Sequence, residues 1–105
     1  MLFDVFERSL DRATPPPFYP DLLKALWHAA KGDAKEAMRL AQLSDGENGA
    51  WVRAHIHRTN GELGLAKRWY AKAGKTMPDI PPGRERSAVA VALLAELDGH
   101  TPPFL

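Results

Sequence analysis

An internal repeat sets the first limit on the fold. When the sequence is shifted against itself by 29 residues, two segments align that each read as helix, glycine, acid, helix. The breaks between the two helices of each segment coincide, because Gly32 aligns with Gly61 and Asp33 aligns with Glu62. The other identities are Ala25 with Ala54, His28 with His57, Ala37 with Ala66 and Arg39 with Arg68. The repeat predicts two helical hairpins between residues 20 and 78.

Apolar residues recur at helical spacing along most of the chain, and no segment alternates with a period of two over a useful length. We therefore predict an all-α fold of about five to six helices. One short amphipathic helix is expected at the N-terminus, before the connector that contains Pro15–Pro17. The remaining helices are predicted at about Pro20–Lys31, Asp33–Ala41, Ala50–Thr59, Glu62–Ala73 and Arg84–Leu97.

The chain has 105 residues, which is enough for one domain but not for two independent cores. We assign residues 1–19 to an N-terminal segment and connector, residues 20–78 to the two hairpins and residues 84–98 to a capping helix. The N-terminal helix is too short to be stable alone, so it must dock on its own domain or on a second copy. Fewer than three repeats and the apolar tail at residues 102–105 leave a homodimer open.

The second hairpin resembles a tetratricopeptide repeat. The residues that carry the resemblance are Ala54, Gly61, Ala66, Tyr70, Ala73 and Pro78, which follow that family's spacing of small residues, turn glycine, aromatic and closing proline. Two positions depart from the pattern: Arg53 stands where a large apolar residue is usual, and Ala41 replaces the aromatic in the first unit. The resemblance covers about residues 20–78 and implies degenerate, shortened helical repeats. The segments LWHAAKGD, AWVRAHIHR and AKRWYAKAG also look like parts of a group of short uncharacterised bacterial proteins, which carries no activity with it.

Composition excludes several classes of protein. Lys and Arg number 14 against 13 Asp and Glu, and this near balance disfavours a non-specific nucleic-acid binder. The absence of cysteine excludes disulfide scaffolds and thiolate metal sites. The longest apolar run, Ala88–Ala95, is eight residues, whereas a membrane span needs about 20. The N-terminus lacks the layout of a secretory signal, so we expect a cytoplasmic location and no membrane partner.

Histidine is the residue type that most directly raises a metal site. His55 and His57 are two apart on a helix, so they point in nearly opposite directions. His28 and His57 occupy equivalent repeat positions, and Glu62 is the nearest third ligand. The alternative is that both histidines are structural and hydrogen-bond to a carbonyl or an acid. We favour the structural role and expect no metal.

No sequence pattern points to catalysis. There is no Gly-rich phosphate loop, no nucleophile elbow and no pair of carboxylates in an apolar setting. Ser9, Ser44 and Ser87 occur in turns or near helix starts, where serine serves as a cap. We expect a protein that is not an enzyme and holds no cofactor.

A binding groove is the better functional hypothesis. In the tetratricopeptide register, Trp51, His55 and Arg58 face the concave side, where they could clamp a peptide carboxylate or an acidic segment. Residues expected to join them there are Tyr19, Leu22 and Leu26. The alternative is that Trp51 belongs to the core and Arg58 is solvated.

Adjacent aromatic residues in the predicted helix Glu62–Ala73 cannot both face the same core. The repeat pattern predicts that Tyr70 is buried and that Trp69 packs on the predicted helix Arg84–Leu97 or on a partner. This is also the most basic part of the chain, with Lys67, Arg68, Lys72 and Lys75. Such a face could suit RNA, but a solvated helix surface is the simpler explanation.

The sequence thus favours a protein-interaction or adaptor module that binds a protein or peptide in a helical-repeat groove. The alternative is a small-ligand or anion binder with His28, His57 and Arg58 near its site. The candidate binding residues are Trp51, His55, Arg58, His28, His57 and Trp69.

Overall fold

The structure, a computed structural model, describes residues 2–99. Its six helices, with no strand anywhere in that range, confirm the predicted all-α class. The helices are α1 (Leu2–Ser9), α2 (Asp21–Ala30), α3 (Ala34–Ala41), α4 (Glu47–Thr59), α5 (Leu63–Lys72) and α6 (Pro82–Gly99). The apolar tail at residues 102–105 lies outside the described residues.

Two tight turns join α2 to α3 and α4 to α5, and they have the same construction. Gly32 and Gly61 adopt φ values of 88° and 78°, a left-handed conformation that glycine reaches without a steric penalty. The amide of the residue after each glycine donates a hydrogen bond of 2.9 Å to a backbone carbonyl of the preceding helix, that of His28 in the first turn and that of His57 in the second. This bond ends the preceding helix. Antiparallel helix pairs therefore follow directly from the glycines that the repeat aligns.

Helix α4 begins at Glu47, about one turn earlier than the predicted start at Ala50. Of residues 44–49, whose composition is typical of a turn, only the first three precede the helix. Gly46 ends the turn at φ 94°, and Gly49 already belongs to the helix. A side chain at Gly49 would meet the Ser44 carbonyl oxygen at 2.4 Å, so glycine there serves close packing rather than a turn.

Helix α1 docks on its own domain, against α6. Phe6 is fully buried and stacks on Tyr19 with ring centroids 6.3 Å apart. Glu7 accepts two hydrogen bonds from Arg86 of α6, at 3.0 and 3.1 Å. The indole of Trp27 donates to a backbone carbonyl at the end of α1 and ties it to α2 as well.

Helix α6 packs against α1, α2 and α4, so it lies between the N-terminal helix and both hairpins. Val89 and Leu93 place its apolar face in the main core. Within residues 2–99, no helix combines the length and the apolar character needed to cross a membrane. The position of α6 determines the site described next, because the first turn of this helix faces the second hairpin.

Candidate functional site

A buried carboxylate, that of Glu85, lies at the centre of the site. It accepts hydrogen bonds from Nδ1 of His55 at 2.9 Å, from Nη1 of Arg58 at 3.2 Å and from Nε1 of Trp51 at 3.3 Å. The hydroxyl of Tyr70 donates to it as well. We call these five side chains the Glu85 cluster. Its four donors satisfy both carboxylate oxygens, which is what burial of a charge requires.

The cluster follows from helix geometry. Trp51, His55 and Arg58 are spaced by four and three residues along α4, so they lie above one another on one face of that helix. Tyr70 reaches the same point from α5, the partner of α4 in the second hairpin. Glu85 meets them from the first turn of α6.

Charge and burial fix the protonation states in the cluster. Burial alone would raise the pKa of Glu85, but the hydrogen bonds from His55 and Tyr70, together with that from Arg58, hold it below its usual range. Burial, followed by the hydrogen bond to Glu85, raises the pKa of Tyr70 well above its ordinary value. The cluster therefore pairs an ionised carboxylate with a neutral phenol.

A cavity of about 560 Å³ opens beside the cluster, between the end of α5, the following connector and α6. Trp51 and Tyr70 form part of its wall, and both are held by Glu85. The ammonium of Lys75 lies 4.3 Å from the centre of the Trp51 ring. The lining residues are Trp51, Tyr70, Ala71, Gly74, Lys75, Thr76, Pro78, Ile80, Glu85 and Ala88.

The connector wall of this cavity is tied to the cluster by Arg58. The guanidinium of Arg58 donates one hydrogen bond to Glu85 and another to the backbone carbonyl of Ile80. The connector wall is thus held by the same group that neutralises the buried charge. The arrangement is a preformed and mainly apolar recess, which suits an apolar side chain or small group entering from outside.

Three of the six candidate residues, Trp51, His55 and Arg58, are brought together by the structure in the Glu85 cluster. The prediction that Tyr19, Leu22 and Leu26 line an open groove is wrong. Tyr19 and Leu26 are buried in the main core, and Leu22 packs against it. Helices α1 and α6 also contribute to that core, so this face is covered rather than open.

The other two candidate histidines lie outside the cluster. Nδ1 of His57 lies 2.9 Å from Oε1 of Glu62, which sits at the start of α5. His28 packs edge-on against Trp27, with the ring centroids 5.1 Å apart. Across residues 2–99, no three His, Asp or Glu side chains are grouped so that they could hold a metal ion.

Trp69, the last candidate, contacts two cations and packs within the second hairpin rather than on α6, whereas its packing on a partner stays a prediction. The Arg53 guanidinium lies 4.7 Å and the Lys72 ammonium 4.3 Å from its ring centre. These contacts give a physical role to Arg53, which departs from the apolar residue usual in the repeat pattern. Tyr70, beside Trp69, is buried as predicted.

Sequence reasoning missed Glu85, the residue at the centre of the site. A usable signal was present, because Glu85 precedes Val89 and Leu93 at intervals of four residues on the apolar face of α6. An acid that continues an apolar stripe must find donors on the facing helix. The facing helix, α4, carries Trp51 and His55.

Comparison with known proteins places the chain in no family: no family profile, no curated protein and no solved structure matches it. The fold and the site therefore define it as an all-α helical protein with a buried carboxylate cluster beside an apolar cavity. Its function is argued from this geometry.

Proposed function

We propose that this chain is a non-enzymatic protein-interaction module, an adaptor that binds a peptide segment of its partner in the cavity beside Glu85. The observation that carries the proposal is the cavity of about 560 Å³, whose apolar walls include Trp51 and Ile80 and whose rim carries Lys75. An apolar side chain can fill the recess, and a carboxylate next to it can pair with the lysine.

The rigidity of the cavity supports a binding role. Glu85 holds Trp51 and Tyr70 by hydrogen bonds, and Arg58 holds the backbone at Ile80. A recess whose walls are fixed before binding loses less conformational entropy when a ligand enters. The lining side chains thus behave as a preformed surface for recognition.

The state of the acid in the site supports a non-catalytic role. A general base needs an oxygen that is free to take a proton from a substrate. Both oxygens of Glu85 are already engaged by protein donors, and its pKa is held below the usual range in spite of burial, by hydrogen bonds from His55 and Tyr70. The carboxylate is arranged to organise its neighbours.

We further propose that the hairpins are degenerate tetratricopeptide-like repeats and that the protein acts in the cytoplasm. The shared turn construction at Gly32 and Gly61 supports the first point. A protein partner is favoured over nucleic acid because cations already lie on the ring of Trp69, the aromatic residue of α5 that is not buried. A homodimer is compatible with this role, since α1 docks within its own chain and leaves the cavity open.

The alternative, a small-ligand or anion site near His28, His57 and Arg58, has less support. Arg58 is committed to Glu85 and to the Ile80 carbonyl, and His57 is paired with Glu62. None of these three side chains lines the cavity. The groups that the alternative needs therefore do not converge there.

A peptide-display selection with a blocked cavity tests the proposal. Random peptides are selected on the immobilised wild-type chain, and their affinities are measured by fluorescence anisotropy on wild type and two variants. Ala88→Trp places an indole at an exposed position that lines the cavity, and Ala95→Trp is its match two turns further along α6. Neither position is buried, so both variants should fold, as circular dichroism will verify.

We expect selected peptides to bind wild type and Ala95→Trp equally and to lose at least tenfold in affinity on Ala88→Trp. If no peptide is selected, or if the selected peptides bind Ala88→Trp as tightly as wild type, the proposal is wrong. A small molecule or anion that binds beside His28 and His57, with no peptide selected, would favour the alternative.

A further inference from the structure

A second cavity adjoins the first across the end of α5. It measures about 360 Å³ and is lined by Lys67, Tyr70, Ala71, Lys75, Thr76 and Met77. Four of these residues, Tyr70, Ala71, Lys75 and Thr76, also line the first cavity. The two recesses are therefore neighbours on one surface, and Lys75 stands between them. We call this surface the double cavity.

The chain segment that forms most of the double cavity carries charge of one sign. No acidic residue occurs between Glu62 and Asp79, a stretch that contains four basic residues. Those residues are Lys67, Arg68, Lys72 and Lys75. Among the residues that the structure describes, none of the four makes an ion pair. The acid inside the first cavity, Glu85, is already paired with Arg58.

We infer that the partner segment is an acidic, extended peptide that places one apolar side chain in each recess and an acidic residue against Lys75. This inference rests on the proposed function and specifies its ligand. Each recess is lined by aromatic or aliphatic groups, which selects apolar anchors, whereas the unpaired lysines select negative charge between and around them.

An extended backbone suits this surface better than a helix does. In an extended peptide, alternate side chains point the same way, so two anchors can enter adjacent recesses while the residue between them remains at the rim. Lys75 already lies over Trp51, where an incoming carboxylate would meet both the ammonium and the edge of the first recess. Lys75 is thus placed to form an ion pair with an acidic peptide residue that lies between the two apolar side chains.

Two matched sets of fluorescein-labelled peptides test this inference by anisotropy on the full chain. Each peptide carries two leucines separated by one, two, three or four residues, which are all glutamate in one set and all lysine in the other. Single-leucine versions complete each set. Lys75→Glu reverses the central charge at an exposed position, and Lys35→Glu, also exposed but on α3, is the matched control. Ala71→Trp, at an exposed residue that lines both recesses, blocks the surface.

We expect the best glutamate peptide to bind wild type at least about fivefold more tightly than its lysine counterpart, in line with one or more exposed ion pairs. Lys75→Glu should abolish that preference, Lys35→Glu should preserve it, and Ala71→Trp should remove binding by both sets. Higher salt should narrow the gap between the sets. Loss of either leucine should weaken the glutamate peptide.

Three results would overturn the inference while leaving the proposed function intact. These are equal affinity of the two sets, a preference unchanged by Lys75→Glu, and binding only by display-selected peptides that lack acids. A short single-stranded RNA that binds through Lys75 when no acidic peptide does would also overturn it. Failure of every peptide, including those from the display selection, would instead overturn the proposed function.

Discussion

Oε1 of Glu85 lies 2.9 Å from Nδ1 of His55, and each of these side chains is only 2% exposed to solvent. The contact joins the first turn of α6 to the middle of α4, thirty residues earlier in the chain. Arg58 adds the positive charge that balances the carboxylate. The packing of α6 on the second hairpin thus depends on a charged cluster as well as on apolar contact.

Glu85→Gln should lower the free energy of unfolding by about 3 kcal/mol, because it leaves the Arg58 charge without its buried partner. Urea denaturation followed by circular dichroism measures the change. Glu47→Gln, at an exposed position in the first turn of α4, is the matched control and should cost less than about 1 kcal/mol. Equal costs at the two positions would contradict the central role of the cluster.

The Glu85 carboxylate also predicts that the free energy of unfolding decreases at acidic pH. Burial is the largest single effect and opposes its ionisation, but the combined effect of its hydrogen bonds and charged neighbours outweighs burial, so its folded pKa lies below the ordinary value of 4.5. Its stabilising effect is therefore complete above that value and is lost as the pH falls through the folded pKa. The acid-induced loss should be smaller in Glu85→Gln than in wild type, as urea titrations at several acidic pH values will show.

The Tyr70 hydroxyl predicts a second loss of stability, at alkaline pH. Burial, together with the hydrogen bond to Glu85, raises its folded pKa above the unfolded value of 10.0. The native state then retains a proton that the unfolded state releases, so stability should fall as the pH rises above about 10. Comparison with Tyr70→Phe isolates this group from the lysines that titrate nearby. Parallel stability profiles for the two proteins above that pH would contradict the assignment.

Helix α1 supplies a test of intramolecular docking. Phe6→Ala should destabilise the chain by about 3 kcal/mol, since the ring is fully buried against Tyr19. Val5→Ala, on the same helix at a residue 48% exposed, should change stability by less than about 0.5 kcal/mol. Both effects should be independent of protein concentration. A concentration-dependent loss at Phe6 would indicate that α1 docks on a second copy instead.

Two helical glycines should respond in opposite directions to alanine. At Gly49 the new Cβ would lie 2.4 Å from the Ser44 carbonyl oxygen, so Gly49→Ala should cost about 1–3 kcal/mol. Gly64 lies in α5 with open space around it, so Gly64→Ala should stabilise by about 0.5–1 kcal/mol. Thermal unfolding of the two variants beside wild type checks the signs. Stabilisation by both substitutions would show that α4 does not approach Ser44 so closely.

The features that could be predicted from the sequence are those that depend on residues close to one another in the chain. Gly32 and Gly61 end helices by their own backbone freedom, and Asp33 caps α3 by accepting from the amide of Glu36. Apolar spacing along the chain was enough to predict an all-α class. These signals act over a few residues, so the sequence alone contains them.

The features that escaped prediction are of two kinds. At the start of α4, Gly49 packs closely against Ser44, only five residues away, in a stretch whose composition is typical of a turn. Glu85 reads locally as an acid in the first turn of a helix, where acids are usually exposed and favoured by the helix dipole. The apolar stripe of α6 indicates which way Glu85 faces, but the donors that it meets depend on the placement of α6 against α4.

The role of Trp51, His55 and Arg58 illustrates the same division. Their spacing put them on one face of α4, as the sequence predicted, and the structure brings them together. What faces them is the Glu85 carboxylate of the chain itself, while the open recess lies to one side. A local pattern identified the residues, and the tertiary fold determined which groups they bind.

The most direct test of the central claim is an NMR titration of the labelled chain with a display-selected peptide. We predict that the largest shifts occur at the amides of Ala71, Thr76 and Ala88 and at the Trp51 indole, which surround the cavity. The Trp27 indole, buried against α1, should not move. Shifts confined to another face, with the Trp51 indole and Ala88 unchanged, would contradict the account.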